Sequence, residues 1–228
     1  MLFRSLDTLR ARDFVTRDES SKTYRVGLRA LEVGSRFLSE TRLQETARIL
    51  LRRLSEDTGQ TVTLAILEDR SVVYLDVVEG RGALRSSTGI GMRLPAHATA
   101  SGKVLLAWRW EAGLRRVVGP EPFEAATERT VTRFDALQRE LATVRRTAVA
   151  FDREELNLDI GCVAAAVRGR DGEVIAAIGV QGPARQIDGQ EAALATRVRE
   201  AAEETSRRLG WRPVTNPTPP DDDSSLID

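Results

Sequence analysis

The chain has 228 residues, of which 41% are hydrophobic and 30% are charged. This length and composition are typical of one large or two small globular domains with real cores. The 34 basic residues balance the 34 acidic residues, so no overall charge attracts the molecule to nucleic acid or to a membrane. A single cysteine and a single histidine exclude an internal disulfide and leave too few ligands for a Cys/His zinc site. We therefore expect neither a metal nor a cofactor.

The sequence carries no segment that would direct it to a membrane. No apolar run approaches the ~18 residues that a membrane helix needs. No signal peptide precedes the first amphipathic segment. We therefore expect a cytoplasmic protein that does not bind membranes.

The N-terminal residues predict a short helix followed by a β-hairpin. Apolar residues recur on one helical stripe between Leu2 and Arg12. Two short β-like runs, "FVTRD" and "TYRVG", then flank the polar cluster Glu19–Lys22. The segment is locally basic, which suits weak and salt-sensitive contacts with DNA phosphates, and suits a solvated basic face equally well. The candidate phosphate contacts are Arg4, Arg10, Arg12, Arg17, Lys22 and Arg25.

The middle of the chain alternates between helical and strand patterns. From Leu28 to about Asp57 the pattern predicts two helices or one long connector, with Gly59 as the stop. A strand pair follows, "TVTLAILE" and "SVVYLDVVEG", joined by Asp69 and Arg70. The stretches "HATASGKVLLAW" and "FDALQRELATVRR" predict helices, and "GPEPFEAATERTVT" between them predicts a loop.

The C-terminal part predicts two strands, one long helix and a tail. The run "GCVAAAVRGRDGEVIAAIGVQG" consists of two apolar strands around a turn at residues 170–172. The final helix is expected from Asp188, its N-terminal cap, to Leu209, with Gly210 as its stop. The tail "PVTNPTPPDDDSSLID" is rich in proline and acid, which predicts disorder. The element order predicts an α+β fold with a mainly antiparallel sheet flanked by helices.

Three stretches together resemble the IclR family of bacterial transcriptional regulators. They are "FRSLDTLRARDFVTRDESSKTYRVGLRALEVG", "RLPAHATASGKVLLA" and "RELATVRRTAVAFDREELNLDIGCVAAAVRGRDGEVIAAIGVQGP". Their order and spacing agree with the family, and the likeness runs from residue 1 to about residue 210. The resemblance implies a winged helix-turn-helix, a linker helix and a GAF-like domain that binds a small effector. It also implies a homodimer or a dimer of dimers.

The resemblance divides the chain into four segments. Met1 falls inside the recognition helix of the family, so we expect a truncated winged helix-turn-helix over residues 1–27 and DNA binding that is weak or absent. A linker helix is expected over residues 28–41. A GAF-like effector-binding and oligomerisation domain is expected over residues 42–212, and the disordered acidic tail over residues 213–228.

The segment "ASGKV" invites two interpretations. It is similar to the end of a phosphate-binding loop, but His97 stands where the first glycine belongs and Val104 replaces the Ser or Thr, so we reject that function. The start of a helix near Thr99 or Ser101 has free amide groups that suit a carboxylate, and simple helix capping explains the same residues. By resemblance, Ala100 and Ser101 line the effector pocket.

The resemblance assigns further pocket residues to the C-terminal half of the chain. Gly179 and Gln181 share one face of a strand because they are two residues apart. Family members often carry small hydroxyl residues at these two positions, so Gly and Gln imply a differently shaped ligand. The short hydrophobic lining and the helix end that can accept a carboxylate fit a small organic acid or an aromatic metabolite. The residues expected to face the effector are Asp152, Ile160, Cys162, Gly179 and Gln181, with Ala83, Ser86 and Met92 as wall residues on the far side.

Three functions follow from these observations. The leading hypothesis is a ligand-responsive transcriptional regulator. The second is a DNA-free metabolite-binding protein, or a modulator that associates with full-length relatives through the linker helix. The third is a hydrolase using Cys162 and His97, for which Asp159 is the only orienting group we identify and which competes with a buried, inert thiol. We therefore expect no enzyme.

Overall fold

A computed structural model describes residues 2–40, 42–82 and 88–212, with the backbone alone for residues 2–4 and 35–40. None of the helices in these ranges is both long and apolar enough to cross a membrane. The predictions for Ala83, Ser86, the Arg4 side chain and residues 213–228 lie outside the described residues. The helices are α1 Leu2–Ala11, α2 Leu28–Glu40, α3 Arg42–Thr58, α4 Ala100–Leu106, α5 Glu111–Val118, α6 Phe134–Thr147, α7 Ala184–Asp188 and α8 Glu191–Arg208.

The strands form one small and one large antiparallel sheet. The small sheet pairs β1 with β2, and the large sheet has the strand order β5-β4-β3-β8-β7-β6. All neighbouring strands in the large sheet run antiparallel, which confirms the predicted α+β fold. The strands are β1 Val15–Arg17, β2 Tyr24–Val26, β3 Thr61–Glu68, β4 Ser71–Val78, β5 Arg93–Pro95, β6 Val149–Arg153, β7 Ile160–Arg168 and β8 Val174–Pro183.

The N-terminal part is a helix followed by a hairpin, as predicted. In the hairpin, Val15 lies opposite Val26. The carboxylate of Asp18 closes the turn by accepting hydrogen bonds from the backbone amides of Ser20 at 2.9 Å and Ser21 at 3.0 Å. These bonds satisfy the backbone of the polar cluster, so the turn needs no glycine.

Helices cover both faces of the large sheet. Successive side chains of a strand point to opposite faces. One face packs against α3 and α8, as the cluster that contains Val62, Ile178 and Val198 shows. The other face packs against α4 and α6, in a cluster that contains Ala65 and Leu137. Burial of both faces explains why the sequences of β7 and β8 are almost continuously apolar.

The long pattern from Leu28 to Asp57 forms two helices, α2 and α3. Gly59, with φ of +70°, follows the end of α3 and confirms the predicted stop. Helix α5 and strands β5 and β6 were not among the predicted elements. They are short, and a short apolar run carries too little periodicity to identify its type.

The predicted N-terminal cap of the last helix is wrong. Asp188 ends the short helix α7, and the cap of α8 is Gln190, which makes no side-chain capping hydrogen bond. The buried side chain of Ile187 packs into the core on the α3 and α8 side of the sheet. Burial of this residue favours a separate turn of helix ahead of Gly189, because tertiary packing outweighs a local capping preference.

Candidate functional site

A cavity of about 270 Å³ lies between the start of α4 and the sheet face that α4 covers. Seven of the residues expected to face an effector line it together: Ala100, Ser101, Asp152, Ile160, Cys162, Gly179 and Gln181. Of the far-wall residues, Met92 does not line the cavity and packs instead at the edge of the core. The remaining lining residues are Thr63, Tyr74, Thr88, Leu94, Thr99, Leu156 and Asn157.

Thr99 is the N-terminal cap of α4. Its backbone is extended, and its hydroxyl accepts a hydrogen bond from the amide of Gly102 at 3.1 Å, which confirms the expected cap. A Cβ atom at Gly102 would lie 2.0 Å from the carbonyl oxygen of Ala96, so only glycine lets α4 approach the preceding turn this closely. The cap and this close approach fix Ala100 and Ser101 at the cavity wall.

Strand pairing brings Asp152, Cys162 and Gln181 into one row across the sheet. Asp152 on β6 lies opposite Cys162 on β7, which in turn lies opposite Gln181 on β8. The thiol of Cys162 lies 3.8 Å from the amide oxygen of Gln181, and the amide nitrogen of Gln181 donates to the hydroxyl of Thr88 at 3.0 Å. The row gives the cavity a polar floor inside an otherwise apolar sheet.

Glycine at position 179 leaves room above this floor. A Cβ atom there would lie 3.0 Å from the Ser101 hydroxyl and 3.1 Å from the Thr63 hydroxyl. Both hydroxyl oxygens therefore converge on the same space. Any side chain at this position would take volume from the cavity, as expected from the pairing of a small Gly179 with a large Gln181.

Burial dominates the acid–base properties of the cavity. It raises the pKa of Asp152 to about 7, and the negative charge of Glu155 adds to that effect, while hydrogen bonds from the backbone and the charge of Lys103 oppose it. Burial and the nearby Asp152 also raise the pKa of the Cys162 thiol well above its ordinary value. A thiol of this kind stays protonated near neutral pH, so it is a poor nucleophile.

The proposed partner of Cys162 lies elsewhere. His97 lines a different cavity, where its ring nitrogen is 2.9 Å from the carbonyl oxygen of Glu124 and its ring lies against Phe123. The structure therefore does not support a dyad of Cys162 and His97. Asp159, the orienting group we considered, is exposed on the loop before β7.

A buried ion cluster supports the cavity from behind, and sequence reasoning missed it. The Nζ atom of Lys103 lies 2.5 Å and 2.6 Å from the two carboxylate oxygens of Glu155, 2.6 Å from Glu140, and donates to the carbonyl oxygen of Phe151 at 3.2 Å. The amide of Glu155 donates to Asp152 at 2.7 Å. The cluster joins α4, α6 and the loop after β6. The available signal was a lysine on the buried face of α4.

Thr63 and Tyr74 also line the cavity and were not predicted. The sequence pattern that could have pointed to them differs from that of Lys103. Thr63 alternates with Val62 and Leu64 on β3, so a period of two already places its hydroxyl on the opposite face from these apolar residues. Tyr74 belongs to the neighbouring strand β4, and burial raises the pKa of its phenol. Only the strand order brings either residue to β7 and β8.

The predicted phosphate contacts lie on α1 and the hairpin, and most of those described face an acidic residue. Arg10 lies 3.6 Å from Asp7, and Arg25 lies 3.8 Å from Asp18. Lys22 forms the same kind of pair with Glu19 at 3.9 Å. The guanidinium of Arg17 lies 5.8 Å from the ring centre of Tyr24. Arg12 is exposed. Exposed pairs of this kind are weak and exchange readily, but they reduce the local positive charge.

A ligand-sized cavity with convergent polar groups on a helix-covered antiparallel sheet is typical of a small-molecule-binding domain. A family model described as the C-terminal domain of the bacterial transcriptional regulator IclR matches residues 35–207. The chain is 34% identical over 207 residues to the regulator XynR of Escherichia coli, covering 90% of this chain and 82% of that protein. The chain belongs to the IclR family of bacterial transcriptional regulators.

Solved structures agree with this assignment. The crystal structure of IclR from Thermotoga maritima matches with a TM-score of 0.77 and 30% identity, over 92% of this chain and 85% of that chain. An IclR homologue from Microbacterium hydrocarbonoxydans, solved in complex with 4-hydroxybenzoate, matches with a TM-score of 0.79 and 26% identity, over 90% of this chain and 83% of that chain. Of these relatives, XynR is an HTH-type transcriptional regulator, and the Microbacterium homologue is the one solved with a small molecule bound.

Proposed function

We propose that the chain responds to a small organic acid or aromatic compound that binds in the cavity between α4 and the sheet, and that this response regulates transcription. The cavity itself carries the proposal, because it gathers seven residues that the family resemblance singled out. Its size suits a small metabolite. The relative solved with 4-hydroxybenzoate supports an aromatic acid as one member of this ligand class.

In this proposal residues 1–27 are a truncated DNA-contacting unit that binds DNA weakly, residues 28–41 are the linker, and residues 42–212 are the effector domain of a cytoplasmic homodimer. Ligand binding shifts the population of dimer geometries and so changes the spacing of the DNA-contacting units. Arg12, which is exposed, is the described basic residue best placed to reach a phosphate. The contacts are to phosphates and therefore sensitive to salt.

The ion pairs in α1 and the hairpin favour a second candidate function, a metabolite-binding modulator that acts without DNA. Asp7, Asp18 and Glu19 each face one of the basic side chains that would otherwise contact phosphate. An electrophoretic mobility shift with the DNA upstream of the gene separates the two functions. Retardation that survives excess competitor DNA supports the regulator, and its absence supports the modulator.

The effector function is tested by a thermal shift screen with small carboxylic acids, their neutral amides and neutral polyols, and with 4-hydroxybenzoate as the first compound. A bound ligand raises the melting temperature by mass action. Gly179→Val fills the cavity and should abolish the shift. Ala193→Val is the matched control, because Ala193 is exposed on α8 and does not line the cavity. If no compound shifts the wild-type protein, the proposed function fails.

A further inference from the structure

The charges around the cavity limit what can enter it. Among the described residues that line it, none is a lysine, arginine or histidine, and Asp152 carries the one carboxyl group. Among the described residues, the cation that acts on Asp152 is Lys103, which does not line the cavity and already faces the carboxylates of Glu155 and Glu140. The cavity wall is therefore negatively charged whenever Asp152 is ionised, and it then repels a negatively charged ligand.

The helices, strands and loop packed against Asp152 supply the other charged and titratable groups near the cavity. Lys103 comes from α4, Glu140 from α6, and Glu155 from the loop after β6. Tyr74 from β4 and Cys162 from β7 are the remaining titratable neighbours, and burial raises the pKa of both groups, so they stay neutral near pH 7. Among the described residues, one positive charge thus stands against three carboxyl groups, of which Asp152 alone lines the cavity. Burial also raises the pKa of Glu155, and the charge of Lys103 opposes that effect.

The Asp152 carboxyl group can gain or lose a proton while it keeps its position in the cavity wall. It is 3% exposed, and the Glu155 amide holds one of its oxygens at 2.7 Å. Desolvation raises its pKa to about 7, so the protonated and ionised forms are close in free energy near neutral pH. The buried hydroxyls of Thr63 and Ser101 also line the cavity and converge on the space beside Gly179.

We propose that the cavity binds a small monocarboxylate together with one proton, and that Asp152 carries this proton and donates it as a hydrogen bond to an oxygen of the ligand. The proton moves from solvent to the Asp152 carboxylate, and no covalent bond to the ligand forms or breaks. One proton offsets one ligand charge, so the site selects a monocarboxylate over a dicarboxylate. This inference rests on the proposed function. It adds the class of the ligand, a monocarboxylate, and the proton as the ion on which binding depends.

The test starts from the thermal shift screen and uses its tightest-binding monocarboxylate in isothermal titration calorimetry. Titrations in two buffers that differ in ionisation enthalpy, phosphate and Tris at the higher pH and phosphate and Bis-Tris at the lower pH, give the number of protons taken up. We expect uptake of about one proton per ligand at about pH 8 and little uptake at about pH 6, with affinity roughly tenfold weaker at the higher pH. Asp152→Asn should bind at both pH values with equal affinity and take up no proton.

Glu200→Gln is the control, because Glu200 is an exposed acid on α8 and should leave proton uptake unchanged. Binding of a neutral aromatic amide without any monocarboxylate would overturn this inference and leave the proposed function intact. Tight binding of a monocarboxylate without proton uptake would also overturn it.

Discussion

The ammonium group of Lys103 lies within 2.6 Å of both carboxylate oxygens of Glu155, and both side chains are buried. Lys103 is 52 residues away from Glu155 in the sequence, so the pair ties α4 to the loop that follows β6. Both of these segments contribute residues to the cavity wall. The pair therefore holds the cavity in shape as well as joining two parts of the fold.

Removing one member of this pair should destabilise the protein strongly. Glu155→Gln leaves Lys103 buried with the half-exposed Glu140, 2.6 Å away, as its remaining carboxylate, so the loss should approach but not reach the roughly 3–5 kcal/mol of a buried charge without any partner. Urea denaturation measures the change in the free energy of unfolding. The double variant Lys103→Met, Glu155→Leu should recover much of this loss, because it removes both charges at similar volume. A double variant as unstable as the single one would contradict the explanation.

Ala148 is predicted to be a site where glycine stabilises the protein. It follows α6 in the left-handed region with φ of 56°, a conformation that costs a residue with a Cβ atom about 1–2 kcal/mol. Ala148→Gly should therefore raise the free energy of unfolding by roughly 1 kcal/mol. Ala136→Gly, within α6, should lower it by about the same amount. Equal destabilisation by both substitutions would rule out relief of backbone strain at Ala148.

The sequence alone was sufficient for the parts of the site that depend on local periodicity. Because Gly179 and Gln181 are two residues apart on one strand, their common face follows from the pleat. Thr99 as a helix cap follows from its position ahead of an apolar helical pattern. Asp152 and Cys162 were named from the family resemblance, and the register of β6 with β7 then places them opposite each other.

The rest of the site depends on contacts that no local pattern encodes. Thr63 and Tyr74 reach the cavity because β3 lies between β4 and β8, a strand order that joins segments more than a hundred residues apart. The sequence did not indicate that Glu140 and Glu155 are the partners of Lys103, because acidic residues occur throughout a chain with 30% charged residues. The helix break before α8 was missed for the same reason, because the burial of Ile187 is a tertiary effect.

The pH dependence of stability should carry a contribution from Asp152. Its pKa in the folded protein is raised to about 7 from the ordinary value of 3.8, so the folded state holds this proton more tightly than the unfolded chain. The contribution is fully present below about pH 4 and is lost as the pH rises through about 7. Relative to Asp152→Asn, the wild type should lose a few kcal/mol across this window, since one pKa unit corresponds to about 1.4 kcal/mol.

Urea denaturation at a series of pH values measures this difference. Asn keeps an oxygen that can accept the hydrogen bond from the Glu155 amide, so the comparison isolates the charge. The Glu200→Gln variant should follow the wild type at every pH. Parallel curves for wild type and Asp152→Asn would show that the carboxyl group titrates alike in the folded and unfolded states.

Association of two chains through α2 is the last prediction. Leu28 and Leu31 are 69% and 65% exposed on this helix, and Val33 is 51% exposed. Apolar side chains clustered on one short helix are costly to leave in water and are typical of an interface. We expect light scattering at micromolar concentration to give a mass above the 25.2 kDa of one chain, and Leu31→Glu to reduce it to that value.

The matched control for this helix is Arg29→Glu, which also changes charge on α2 but removes no apolar contact. Arg29 is exposed and pairs with Glu32 on the same helix at 2.9 Å, so its replacement should leave the mass of the assembly unchanged. If both variants dissociate the assembly, charge rather than apolar burial holds it together. A wild-type mass of one chain would show that α2 stays without a partner, and a ligand signal would then have to reach DNA within a single chain.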